Sequence, residues 1–113
     1  MIEALTGSKL ERGEGIRLAQ RFHRGQHIYL ELKNYNQAGA LTACDAGYPK
    51  VTVYKPDETK VVDAQAMTST ATGIYKYDVY QLPADAPFGW WPVQYECVTG
   101  GKVTKRHNGF EVI

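Results

Sequence analysis

Cysteine is scarce in this sequence. Only Cys44 and Cys97 occur in 113 residues, too few for the disulfide framework that holds small domains lacking a core. The two can pair, but cytosolic synthesis keeps thiols reduced, so the fold is not expected to need a disulfide. Serine is equally sparse. Ser8 and Ser69 are the only two, and neither lies in a nucleophile elbow. No stretch approaches the ~20 apolar residues of a membrane span. The first fifteen residues carry Glu3, Lys9, Glu11, Arg12 and Glu14 and lack the apolar run of a signal peptide. Charge of one sign is lacking too. The net value of +1 provides no field to draw the molecule onto nucleic acid or a membrane.

What is abundant is tyrosine, with eight residues, and tyrosine with β-branched residues favours strands. Alternation of apolar and polar residues, the pattern of a half-buried strand, recurs along the chain. Ile28, Leu30 and Leu32 share one parity, with Tyr29, Glu31 and Lys33 on the other. Val51 and Val53 alternate with Thr52 and Tyr54. Tyr75, Tyr77 and Val79 alternate with Lys76 and Asp78. Trp91, Val93, Tyr95 and Cys97 alternate with Pro92 and Glu96, and Phe110 and Val112 follow near the end. Weaker strands are expected over 16–22 and 60–67. Lys55-Pro56-Asp57-Glu58-Thr59 and Gly100-Gly101 supply turns. No segment sustains a helical period. About seven strands spaced by turn signals mark an all-β sandwich or barrel. The domain is expected over 16–113, with residues 1–15 as an extended polar arm punctuated by Gly7, Gly13 and Gly15.

Several motifs resemble those of immunoglobulin-like domains of the macroglobulin or fibronectin type III sort. They are Pro49-Lys50-Val51-Thr52-Val53-Tyr54 before its turn, Thr72-Gly73-Ile74-Tyr75-Lys76-Tyr77, Phe88-Gly89-Trp90-Trp91 and Gly109-Phe110-Glu111-Val112. The resemblance covers roughly residues 22–113. It implies a single antiparallel immunoglobulin-like β-sandwich and brings no catalytic or binding residues, because such domains serve many roles.

The chemical candidates are thin. His23 and His27 lie four apart, which in an extended chain is ~13 Å, too far to share one ion. Cys97 falls on an inward parity, where apolar neighbours make a thiol inert. Cys44 sits beside Asp45, whose charge disfavours a thiolate. Asp57 and Glu58 fit a tight turn, and Gly13-Glu14-Gly15 is too short to cradle phosphate. No catalytic residue, cofactor or metal ligand is therefore expected.

The aromatic residues say more. By parity Tyr29, Tyr35, Tyr54, Tyr80 and Trp90 point away from the core. Five on one small domain suggest a surface that something covers. Arg12 and Arg17 lend the start of the chain a basic character suited to an acidic partner. The resulting expectation is a non-enzymatic structural or protein-interaction module. Its setting would be an accessory or decoration subunit of a larger assembly such as a phage or virus-like particle, made in the cytosol and released within it. The arm would work between molecules. The rival reading is a ligand-binding module, with carbohydrate stacked on Trp90 and Tyr54.

Overall fold

The computed structural model describes residues 2–6, for their backbone, and 20–113. Among these residues the chain is all-β and holds no helix. Nine strands run in order: β1 (Ile2–Thr6), β2 (Arg21–Phe22), β3 (Leu30–Asn34), β4 (Lys50–Tyr54), β5 (Lys60–Ala66), β6 (Thr68–Ala71), β7 (Ile74–Tyr77), β8 (Gly89–Thr99) and β9 (Lys102–Val112). They form two sheets, ordered β1-β3-β7-β6 and β2-β9-β8-β4-β5. All pairs are antiparallel except β2 with β9.

Period-two patterning places the core. Leu30 and Leu32 of β3 and Tyr75 of β7 face Val51, Val53, Trp91, Val93, Tyr95, Phe110 and Val112 of the other sheet in one buried cluster. Phe22 joins it edge-on to Phe110, with ring centroids 5.3 Å apart, and Trp91 stacks on Phe110 at 5.7 Å. Each such side chain contributes about 1.5–3 kcal/mol on burial. Ile28, Val62, Met67, Leu82, Ala86 and Cys97 complete the cluster.

The expected core is corrected at one residue. Val79 is 69% exposed. The chain leaves the sheet after Tyr77, and the carbonyl of Tyr80 accepts from the Ile28 amide at 3.1 Å. Parity does not carry across that break, so Val79 turns outward while Tyr80, expected outside, packs partly against the core. Tyr77 is likewise only partly buried there.

Two strands lie beyond the sequence reading. One is β6, a short run of small exposed residues. The other is β1, which corrects the arm. Ile2–Thr6 pairs with β3 from Ile2↔Asn34 to Thr6↔Leu30, so these five residues extend the chain's own sheet. Deleting residues 1–6 should therefore lower the melting temperature by several degrees and leave β3 as an edge. An unchanged melt would contradict the pairing.

Loop 35–49 is fastened at Thr42 and at Asp45. Asn34, the buried polar residue among those described, donates through Nδ2 to the Thr42 carbonyl at 2.7 Å. Its own carbonyl accepts from the Thr42 amide at 2.8 Å. Gly73 sits against this junction at φ +75°, where a Cβ would stand 2.7 Å from the Thr42 nitrogen, so only glycine fits. Farther on, Asp45 accepts from the Gly100 and Gly101 amides, both at 3.1 Å. These two glycines make the β8–β9 turn with positive φ, as a tight two-residue hairpin requires.

Cys44 and Cys97 are bonded to each other, with Cα atoms 5.7 Å apart. The sequence left their pairing open, and the structure joins them. Inward parity did place Cys97 in the core, but the loop carrying Cys44 returns to β8 because Asp45 holds the hairpin tip.

Tyr95 is fully buried and its hydroxyl has no hydrogen-bond partner among the described residues. Burial pushes the phenol well above its usual range. The neutral form is favoured in the folded state, so its stabilising effect is whole below about pH 10 and is lost as pH rises past that ordinary tyrosine value. Tyr95→Phe removes the unsatisfied group. It should raise neutral-pH stability by about 1 kcal/mol and move alkaline unfolding to higher pH, as followed by circular dichroism.

Candidate functional site: an aromatic face on the five-stranded sheet

With Trp91, Val93, Tyr95 and Cys97 turned inward, the intervening residues of β8 stand on the outer face. Pro92 lies opposite Gly109 of β9, and Gln94 lies between His107 of β9 and Thr52 of β4. The β4–β8 ladder ends at Val53↔Val93. Tyr54 and Pro92 are the next residues outward, and a proline is tolerated where pairing has stopped.

Trp90 pairs with Glu111, and its indole covers Gly109, occupying the space that a Cβ there would need. The residue remains 47% exposed. At its margin Arg21 meets Glu111 at 3.2 Å, an exposed ion pair that leaves this edge nearly neutral.

Beside Pro92 opens a shallow depression of 360 Å³ lined by Tyr54, Glu58, Pro92, Gln94 and His107. Glu58 reaches the rim from the Lys55–Thr59 turn. The Lys55 amide donates to Thr59 and the Glu58 amide to Lys55, both at 2.8 Å. Asp57 accepts from the Thr59 amide at 3.0 Å, and the Thr59 hydrogen bonds hold its carboxyl below the ordinary aspartate value. The Tyr54 hydroxyl, Glu58 carboxylate, Gln94 amide and His107 imidazole make no hydrogen bond or ion pair with the described residues. Four polar groups, unpaired among the described residues, thus line one depression beside Pro92.

No protein-family model matches the chain, and no curated protein matches it. Among solved structures, a DUF4785 family protein from Legionella pneumophila is similar, with a TM-score of 0.62 at 9% identity. The match covers 98% of this chain and 28% of that one. Such a likeness shows the fold alone, and this chain spans about a quarter of the other's length.

Of the surface residues expected from sequence, Tyr54 and Trp90 thus share one face, on either side of the Pro92–Gly109 pair. Tyr29 precedes β3 and is 37% exposed. Tyr35 follows β3 and lines a separate depression of 490 Å³ with Asn36, Gln37 and Gly39. Tyr80 belongs to neither, being partly buried, and burial raises its hydroxyl pKa. Arg12 and Arg17 lie outside the described residues. Sequence reading missed Glu58, Pro92 and Gln94 as a set. They gather only through strand register, although their outward parity was visible for Pro92. His107, which alternation alone does not mark, belongs with them. Among the described residues no three His, Cys, Asp or Glu side chains gather around a common point.

Proposed function

We propose that this chain is a non-enzymatic immunoglobulin-like β-sandwich serving as an interaction module, an accessory or decoration subunit of a larger assembly such as a phage or virus-like particle. The sheet order supports the fold reading. Taken in chain order as A, A′, B, C, C′, D, E, F and G, the strands fall into ABED and A′GFCC′ sheets, the immunoglobulin arrangement. Tyr95 stands two residues before Cys97 on the F strand, the spacing found in antibody domains, although its hydroxyl makes no bond back to the backbone among the described residues. The chain departs from them in joining Cys97 to the loop after strand B instead of strand B itself.

One observation carries the functional reading. Apolar side chains stand open at several separate places: Tyr29, Val79 at 69%, Phe88 at 60%, Trp90 and Val103 at 56%. Exposed apolar area on several sides suits a subunit wedged among neighbours. Phe88 is moreover pinned in its exposed position, with the Arg24 guanidinium 3.8 Å from its ring centre. The mass of the native particle tests the reading. A subunit should co-purify at many times its monomer mass, and a strictly monomeric native protein would refute the proposal. The exposed pair Trp90 and Tyr54 also suits a ligand-binding module.

A further inference from the structure

We propose that the outer face of the five-stranded sheet binds an uncharged carbohydrate chain, with Trp90 as the stacking platform and Tyr54, Glu58, Gln94 and His107 as hydroxyl-binding groups. The inference rests on the reading of the domain as an interaction module but not on its membership of an assembly.

A pyranose ring has one face of C–H bonds and an equator of hydroxyls. It therefore calls for a flat apolar surface bordered by planar polar groups, the combination general to small-molecule sites. This face supplies both. The Trp90 indole lies over Gly109, where the missing side chain lets a ring settle on the backbone, and Pro92, paired with Gly109, continues the apolar floor. From Pro92 onward the floor opens into the depression, lined by a carboxylate, an amide, an imidazole and a phenol without partners among the described residues.

Charge selects the ligand class. Arg21 is neutralised by Glu111 at one end of the face. At the other end Glu96 lies across from both Lys105 and Lys50 in the strand register, and the Glu58 carboxylate in the depression offsets the remaining cation. Among the described residues of this face the charges therefore balance, and a sulfated or uronic acid chain gains little. The depression is open and shallow, which suits a polymer passing over the sheet.

The test uses the purified full-length chain with maltohexaose, cellohexaose and chitohexaose as probes, read by tryptophan fluorescence and isothermal titration. At least one probe should bind saturably and change the fluorescence. Trp90→Ala should weaken that binding at least about tenfold, and Gln94→Ala or His107→Ala several-fold, the melting temperatures staying near wild type. Such losses of stacking and hydrogen bonds are of ordinary size. Absence of binding to all three probes would overturn the proposal, as would binding indifferent to Trp90→Ala. So would protection of Trp90 from oxidation by a protein neighbour in the native particle, which would support the assembly reading alone. A binding monomer would sink the assembly reading and leave this one standing.

Discussion

Reducing the Cys44–Cys97 bond is expected to destabilise the protein by about 4 kcal/mol. The bonded residues are 53 apart in sequence, and closing a loop of that length removes about this much conformational freedom from the unfolded chain. For a domain of this size the loss corresponds to roughly 10–20 °C in melting temperature. Calorimetry with and without reductant measures it, and paired substitution of both cysteines by alanine should reproduce most of it. Asp45 lies next to Cys44 and grips the same hairpin tip through Gly100 and Gly101. Asp45→Ala should therefore cost less in the oxidised protein than in the reduced one, where the carboxylate is the remaining tie. A melt unmoved by reductant would mean the bond adds nothing to the fold.

Trp91→Ala should cost on the order of 3–5 kcal/mol. Trp91 is fully buried, stacks on Phe110 and donates its indole N–H to the Pro87 carbonyl at 2.9 Å. Its removal leaves a cavity between the sheets and an unanswered carbonyl. The adjacent Trp90→Ala should cost under about 1 kcal/mol, because the ring rests on the sheet from outside. Urea unfolding of the two variants separates them. Equal losses would mean that the facing of β8 is wrong, and with it every inward and outward assignment on that strand.

Much of the core was legible because β3, β4 and β8 alternate without interruption, and a strand with one buried face must keep its register. Legibility ended where alternation ended. Val79 and Tyr80 follow a break in the sheet, and no local signal marks it. β1 was illegible for a different reason, since its pairing with β3 depends on a partner some thirty residues away and not on its own pattern. The disulfide stayed open at the level of sequence, because nothing in the order of residues shows the Asp45 grip that brings the loop home. The candidate site was half visible. Parity gave Trp90 and Tyr54, but their meeting around Pro92 depends on the β4–β8–β9 register, and Glu58 arrives from a turn.

The parallel pair of β2 with β9 has a mechanical consequence. Pulled apart from residue 20 and residue 113, those strands are loaded lengthwise, so the Glu111-to-Gln20 and Ile113-to-Phe22 hydrogen bonds must yield together and not in turn. A tug on the domain then meets a brittle threshold in place of gradual peeling. Once that threshold is passed, the Cys44–Cys97 link withholds the enclosed stretch from extension, and the tether lengthens only by what lies outside it. Under load the domain should behave as a short, stiff fuse.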